Sequence, residues 1–369
     1  MESIFRHKTD TYEFTEATIC MKTPNPRLQL IDMMIGIAMT LVVLGHMSFN
    51  FTPQWYNESF HTWIYSFHME LFVFLSAFLV RYSYKGVNSI KQYLHYEWRK
   101  FSKFFFPFIL VGAVVGLSSA YFSGTVEAQG GWFETLLDEF IQMLTWPMQS
   151  HASFLWYIYV LMGFYLISPL YFKLPRWLKM TLCLLSIVLT LPEVTYHFGA
   201  ALFCKYFFFY ALGVLCAEGI EEMKDLQWWH WMLAALPFVG WTVYFVVTHD
   251  RSLFSVFTGL LSLPAAAFLG CCFRKVNWLR WCMTRISKGC YWIYLFQMFI
   301  VWGCAIVFRS TSLIQFVPFW GFMIVTTLLC ISIPLLFQAL SDKLLDKTRA
   351  NHTDSSSDSK AAVLSNKKK

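Results

Sequence analysis

The sequence is short of charged residues. Only 14% of its 369 residues are Asp, Glu, Lys or Arg, whereas a soluble domain carries about 25%. Hydrophobic residues make up 57% and aromatic residues 20%, and the mean hydropathy is +0.48. This composition excludes a cytosolic enzyme, a disordered chain and a nucleic-acid-binding module, and it favours an integral membrane protein.

The sequence also lacks the alternation of apolar and polar residues that membrane β-strands show over about 10 residues. Its apolar runs are unbroken and approach about 20 residues, the length of a helix that crosses the hydrocarbon core. We therefore predict an all-α polytopic membrane bundle of about ten transmembrane helices, with an interfacial helix at 132–147. The predicted spans are 28–49, 62–82, 104–122, 154–172, 178–192, 199–217, 229–247, 253–272, 287–308 and 314–340.

The ten cysteines lack the C-x-x-C pairs of structural zinc sites. We interpret them as small hydrophobic residues in a reducing compartment, and we expect no metal site. Four of them fall between Cys271 and Cys290, which makes zinc the less favoured alternative.

Every second loop between the predicted spans has almost no Lys or Arg. If the N-terminus is cytoplasmic, all but three of the 29 Lys and Arg residues fall on cytoplasmic segments, the exceptions being Arg251, Arg309 and the intrahelical Lys205. Because cytoplasmic loops of membrane proteins are enriched in Lys and Arg, we predict that both termini are cytoplasmic.

This topology divides the chain into three parts. Residues 1–27 form a cytoplasmic N-terminal segment without a targeting-peptide pattern, and residues 28–340 form the membrane domain. Residues 341–369 are polar and are expected to be a disordered cytoplasmic tail.

Ionisable side chains inside spanning helices are costly, so each is a candidate for function. His46 ends the first helix near the outer surface. Asp32 shares its helix face near the cytoplasmic surface, about 21 Å away. The alternatives are an interfacial histidine and an aspartate that stabilises the helix dipole.

The second helix carries His68 and Glu70 in its outer half, pointing to different faces. Lys205 lies at a matching depth in another helix, so we predict an ion pair between Glu70 and Lys205, with either a structural or a catalytic role. Gln297 in the ninth helix is explained by an interhelical hydrogen bond without any further function.

A basic stretch with interleaved aromatic residues precedes the third predicted span, on the cytoplasmic side. It carries Arg99, Lys100 and Lys103. Such runs commonly anchor to lipid headgroups, and the same chemistry would bind a phosphate-rich cytosolic donor such as a coenzyme A ester.

Taken in order, five stretches resemble motifs of the acyltransferase-3 family of bacterial membrane O-acyltransferases, particularly its fucose 4-O-acetylase-like branch. The stretches are Leu30–His46, Ile64–Leu79, Lys100–Pro107, Leu155–Ile158 and Ile286–Leu295. The chain departs from the family pattern at Ile35, where a basic residue is usual. It also departs at Glu70, Ala77 and Gln297, where Pro, Gly and His are usual.

The resemblance implies transfer of an acyl group, usually acetyl, from cytosolic acetyl-CoA to an outward-facing sugar hydroxyl of a polysaccharide or glycolipid. It implies a multi-pass protein of the bacterial inner membrane without a permanently bound cofactor or a nucleic-acid partner. The expected site comprises His46, His68 and Glu70 as catalytic residues, and Asp32, Arg99, Lys100 and Lys103 for the donor. Lys205, Trp156, Tyr157 and Gln297 are expected beside it.

The sequence allows alternatives for His46, for the two aromatic residues and for the function as a whole. His46 acts either as a general base or as an acyl carrier. Trp156 and Tyr157 either stack on sugar faces or belong to the aromatic belt. The main alternative function is a non-catalytic exporter of a polysaccharide or lipid-linked sugar, and the loss of the basic residue at Ile35 favours it. A membrane sensor or scaffold is a third alternative, and only the polar tail favours it.

Overall fold

The computed structural model describes residues 26–87, 89–124, 131–189, 197–222, 225–248, 256–311 and 317–366. Within these ranges the chain is helical and contains no β-strand, which confirms the all-α class. The α-helices are α1 (Pro26–Gly45), α2 (Thr62–Tyr65), α3 (His68–Tyr82), α4 (Ile90–Ser123), α5 (Trp132–Thr145), α6 (Trp156–Lys173), α7 (Arg176–Leu189), α8 (Ala200–Glu218), α9 (Trp228–Thr248), α10 (Val256–Lys275), α11 (Asn277–Ser310) and α12 (Phe319–Asn366). A π-helical turn at Tyr56–His61 precedes α2, and 3-10 turns at Ser153–Leu155 and His197–Gly199 precede α6 and α8.

Nine stretches of the described residues are long and apolar enough to cross a membrane. They are Leu28–Gly45, Tyr56–Tyr82, Ile90–Phe122, Ser153–Lys173, Ala200–Glu218, Trp228–Thr248, Val256–Lys275, Asn277–Ser310 and Phe319–Lys343. Each corresponds to one predicted span, so the chain is a multi-pass membrane protein. The helix predicted at 132–147 is α5.

The remaining predicted span, 178–192, corresponds to α7, which has 14 residues and a length of about 21 Å. The end of this prediction lies outside the described residues. The α7 helix runs antiparallel to α8, because Lys179 binds Glu218 at the end of α8 and Cys183 Sγ contacts the Phe208 carbonyl 3.8 Å away. Short as it is, α7 therefore lies alongside a spanning helix.

The α4 helix is much longer than its predicted span of 104–122. It has 34 residues, or about 51 Å, against about 30 Å for the hydrocarbon core. Its first turn is capped by the Ser89 side chain, which accepts the Gln92 N–H, and it ends at Gly124 in the left-handed conformation. The basic stretch at 99–103 is thus part of this helix and not a loop before it.

The last helix continues beyond the apolar span, which ends at Lys343. The structure describes α12 as helical to Asn366, where the sequence predicts a disordered tail.

The core of the bundle is formed by α1 and α3. The α1 helix packs against α3, α10 and α11, and α3 packs closely against α8. Apolar residues surround α1 on all sides, as is typical of a buried helix, and most of α3 is buried. By contrast, α9 and α12 leave much of their apolar surface exposed, as expected for helices that face lipid.

The two ends of the bundle differ in chemistry. We call the end where α1 and α4 begin the basic end, because Lys100 and Lys103 lie in the first part of α4. We call the opposite end, where α1 stops at Gly45 and α3 begins at His68, the histidine end.

Candidate active site

His46 follows the last residue of α1, and its backbone N–H still donates to the Val42 carbonyl at 3.2 Å. The residue before it must be small. A Cβ atom on Gly45 would lie 3.0 Å from Tyr65 Cε2, so the absence of a side chain allows Tyr65 to pack against the end of α1. The His46 side chain is half-buried at this junction.

His68 is the first residue of α3 and is almost fully buried. The helical path breaks just before it, at Phe67, and the Ser66 carbonyl there accepts the Thr258 hydroxyl of α10 at 2.7 Å. His68 Nδ1 lies 2.8 Å from the Ile64 carbonyl oxygen. Because a carbonyl oxygen only accepts, Nδ1 carries the hydrogen, and Nε2 of the neutral ring has a free lone pair.

A third histidine, His61, joins these two, and the sequence analysis missed it. Its ring stacks on Tyr65 with centroids 4.2 Å apart, and Tyr65 lies 4.8 Å from the His68 ring. The three imidazoles are close enough for a charge on one to act on the others. We call His46, His61 and His68 the histidine cluster. The spacing of His61 and Tyr65 at i and i+4 was the available signal for their contact, because such residues share a helix face.

The predicted ion pair between Glu70 and Lys205 is wrong. Both residues are described, and their charges interact, but no direct contact joins them. Glu70 is buried with Oε2 lacking a hydrogen-bond partner, whereas Lys205 is exposed and holds Nζ 5.3 Å from the ring centroid of Tyr206. Of the two neighbours Lys205 and Tyr206, Tyr206 is the buried one. The Lys205 side chain points about 100° away from it around the helix.

Tyr157 is buried inside the bundle, and its neighbour Trp156 is half-buried. Trp156 stacks on Tyr206 with centroids 5.1 Å apart. The Tyr157 hydroxyl is buried and lies 2.5 Å from Ser76 Oγ, and its ring contacts Tyr294 at 5.6 Å. Tyr157 therefore connects α3, α6 and α11 near the middle of the bundle.

Gln297 is fully buried, but its side-chain amide makes no hydrogen bond with any described residue. The interhelical hydrogen bond expected for this side chain is thus wrong. The facing helix α12 presents Cys330, whose thiol reaches the Gln297 backbone carbonyl at 3.7 Å instead.

At the basic end, Lys100 and Lys103 lie among tyrosine rings. Lys100 Nζ is 5.5 Å from the Tyr165 ring centroid and 5.9 Å from that of Tyr96. Lys103 Nζ is 6.0 Å from the ring centroid of Tyr291, whose hydroxyl donates to the Lys103 carbonyl at 3.1 Å. Arg99 lies on an exposed side of α4.

Asp32 lies next to the same group. Its Oδ1 accepts the Ser287 hydroxyl at 2.9 Å, and both Asp32 and Lys103 are close enough to Cys290 for their charges to act on its thiol. Ile35, one turn above Asp32, is buried. The cation whose charge acts on the Asp32 carboxyl is Lys288 of α11, the neighbour of Ser287 in sequence.

Polar groups connect the two ends through the bundle. Cys290 lies near Tyr157, Tyr157 packs on Tyr294, and Tyr294 lies near Tyr65 of the histidine end. We call these four residues the central series. The Tyr294 hydroxyl also donates to the Phe154 carbonyl.

The nine cysteines within the described ranges are all free thiols. No group of three or more His, Cys, Asp or Glu side chains suited to a metal ion occurs among the described residues. The arrangement is thus one of imidazoles, hydroxyls and ammonium groups.

Comparison with known proteins agrees with this arrangement. The model of an acyltransferase domain family, acyltransferase-3, matches residues 29–336. Nodulation protein NolL of Sinorhizobium fredii is 25% identical over 333 residues, covering 82% of this chain and 83% of the relative. Nodulation protein NolL of Mesorhizobium japonicum is 24% identical over 332 residues, covering 82% of each. No solved structure matches the chain.

The family match spans the whole membrane domain and includes the histidine cluster, the central series and the basic stretch of α4. The chain therefore belongs to the acyltransferase-3 family and is a multi-pass membrane O-acyltransferase.

Proposed function

We propose that this protein transfers an acetyl group from acetyl-CoA, bound at the basic end, to a sugar hydroxyl at the histidine end. The observation that carries the proposal is the separation of two chemistries within one bundle. Ammonium groups lie at one end, imidazoles lie at the other, and the central series lies between them. This arrangement suits a donor and an acceptor that arrive from opposite sides of a bacterial plasma membrane.

The donor side follows from charge. Lys100 and Lys103 offer ammonium groups for the phosphates of coenzyme A, with Arg99 nearby on α4. Asp32 and His46 on α1 are separated by about 21 Å along the helix axis. The acyl thioester therefore has to reach that distance from the phosphates, and the central series lies along it.

The chemistry at the histidine end is general-base catalysis. The imidazole of His46 takes the proton from the sugar hydroxyl as its oxygen attacks the thioester carbonyl. The C–S bond then breaks, and the coenzyme A thiolate takes the proton back from the imidazolium. His68, with a free Nε2, is the second base candidate, and the buried carboxyl of Glu70, whose Oε2 has no hydrogen-bond partner among the described residues, orients the acceptor.

The acceptor is a sugar of a cell-surface polysaccharide or glycolipid. Tyr157 is buried too deeply to serve as its platform, and the half-buried Trp156 stacks on the buried Tyr206. Trp55, by contrast, is 42% exposed and lies beside the histidine end, in contact with Tyr56 and stacked on Trp320 at 4.8 Å. Trp55 and its stacking partner Trp320 therefore offer an exposed aromatic surface to a sugar on that side.

The test uses full-length protein in nanodiscs with radiolabelled acetyl-CoA and surface glycans of the producing cells as acceptor. We expect wild-type protein to release coenzyme A and His46→Ala to lose this activity, by about 10²–10⁴-fold for a general base, while remaining folded. His95→Ala, an exposed histidine on α4, is the matched control. Full activity in His46→Ala would contradict the site. Mass spectrometry of surface glycans from cells with and without the protein identifies the acceptor.

The same preparation separates a base from an acyl carrier. With acetyl-CoA and no acceptor, a carrier would accumulate an acetylated His46 peptide, whereas a general base would not. We expect no such peptide. Protein that binds no acyl-CoA but moves sugar across a vesicle membrane would instead be an exporter.

A further inference from the structure

The last two carbonyls of α1 are both held by side chains from one short segment. The end of any helix leaves carbonyl groups without intrahelical partners. Here the Tyr56 hydroxyl donates to the Leu44 carbonyl, and the His61 ring reaches the backbone carbonyl of Gly45. The next residue along the chain is His46.

The π-helical turn at Tyr56–His61 explains how one segment provides both contacts. In an α-helix, residues five apart point about 140° away from each other. A π-helix bonds residue i to residue i+5, which stacks such residues on one face. The Tyr56 and His61 rings accordingly lie 6.5 Å apart and point together at the end of α1.

Packing holds both side chains in place. Tyr56 is completely buried and contacts Phe319 at 5.0 Å and Phe60 at 5.5 Å. The stack of His61 on Tyr65 fixes the other ring. Because Tyr65 also packs on Gly45, the two contacts and the ring stack immobilise the peptide units before His46.

We propose that Tyr56 and His61 are positioning residues, which aim the His46 imidazole by holding the Leu44 and Gly45 carbonyls. The catalytic part of this proposal rests on the proposed function of His46. A π-helical turn is less favourable than an α-helical one and occurs frequently at functional sites. An α-helical turn here would separate Tyr56 and His61 and would release one of the two carbonyls.

The test compares variants that remove one feature at a time in the full-length protein. Tyr56→Phe keeps the buried ring and removes only the hydroxyl. His61→Phe keeps a ring for the stack on Tyr65 but cannot donate, whereas His61→Gln keeps an N–H donor without the ring. Tyr121→Phe, at an exposed tyrosine of α4, is the matched control.

Two quantities are measured: acetyl-transfer kinetics, and the rate at which diethyl pyrocarbonate modifies His46, followed by peptide mass spectrometry. We expect Tyr56→Phe and His61→Phe to lower kcat about 10- to 100-fold, the loss typical of a misplaced catalytic group. The KM for acetyl-CoA should stay within about twofold, because ground-state donor binding is untouched. His61→Gln should recover most of the lost kcat.

The outcomes separate this proposal from the proposed function. Wild-type kcat and wild-type His46 modification in both Phe variants would overturn the positioning role even if the enzyme transfers acetyl groups. A His61→Gln variant as slow as His61→Phe would overturn the role of the donor at 61. If wild-type protein transfers no acetyl group, the proposed function fails. The modification rate of His46 then still shows whether Tyr56 and His61 position its imidazole. If His61→Phe does not fold, Tyr56→Phe alone tests the positioning role.

Discussion

Gly213 of α8 lies directly against the carbonyl oxygen of Phe74 in α3. A Cβ atom on Gly213 would be 2.3 Å from that oxygen and 3.0 Å from the Ala77 Cβ. Because the obstacle is backbone, no side-chain rotation can relieve it. The two helices that carry Glu70 and Lys205 therefore approach each other as closely as a glycine permits, as is typical of small residues at membrane helix interfaces.

We predict that Gly213→Ala destabilises the bundle by about 1–3 kcal/mol, the usual cost of overpacking. Gly240→Ala is the matched control, since nothing lies within 4 Å of a Cβ atom at Gly240 in α9. The control should leave stability unchanged or raise it by up to about 1 kcal/mol through helix propensity. Thermal unfolding in detergent measures both, and equal stabilities would show that α3 and α8 can separate without cost.

A second prediction concerns the carboxylate that joins three helices at the basic end. Glu218 Oε1 accepts Arg81 Nε at 2.7 Å and also binds the buried Lys179. Glu218→Gln leaves two cations without their counter-charge, and we expect a loss of about 2–3 kcal/mol, below the about 3–5 kcal/mol of a fully buried pair because Arg81 is partly exposed.

The exposed pair between Arg176 and Glu222 provides the control for Glu218. Its two hydrogen bonds measure 2.6 and 3.1 Å, but both side chains are solvent-exposed. Glu222→Gln should therefore leave the unfolding temperature unchanged. Equal effects of the two substitutions would mean that burial does not distinguish these ion pairs.

The fold was largely predictable from the sequence, because apolar length and the distribution of Lys and Arg determine where helices cross a membrane. The depth of each polar residue in the membrane followed from its position within its predicted span. Depth, however, does not fix rotation about a helix axis. Glu70 and Lys205 have matching depths, yet Tyr206 and not Lys205 faces α3, and this rotation is set by packing between distant parts of the chain.

Local helix geometry that the sequence does not reveal also explains why His61 was not predicted as part of the site. His61 was missed because its relation to His46 depends on a π-helical turn and on a break at Phe67, and neither is visible as a regular apolar period. His46 and His68 were found because they are ionisable residues in apolar runs.

A third prediction tests whether His68 is a base or a structural residue. His68→Asn can still donate an amide hydrogen to the Ile64 carbonyl, as Nδ1 does, but it lacks the free Nε2. If Nε2 acts as a base, the variant should fold normally and lose about 10²–10⁴-fold in acetyl transfer. Normal activity in His68→Asn, together with instability in His68→Ala, would assign His68 a structural role.

A fourth prediction concerns Lys103 and the donor. Lys103→Met should raise the KM for acetyl-CoA about 10- to 100-fold, because a hydrogen bond to a charged group contributes about 1.5–3 kcal/mol. Lys91→Met, an exposed lysine earlier in α4, is the control. Added salt should raise the KM of the wild type more than that of Lys103→Met, because salt screens charge pairs. An unchanged KM would remove Lys103 from the donor site.

The last prediction follows from the missing contact between Glu70 and Lys205. In a double-mutant cycle of Glu70→Gln and Lys205→Met, a direct buried ion pair would give a large coupling, since breaking one costs about 3–5 kcal/mol. Their charges interact without contact, so we expect a coupling below about 1 kcal/mol in unfolding free energy. We also expect Glu70→Gln alone to slow acetyl transfer, and Lys205→Met should not restore it. A Lys205→Met substitution that rescues Glu70→Gln in both stability and transfer would show that the two residues form a structural pair, and Glu70 would then have no separate role at the histidine end.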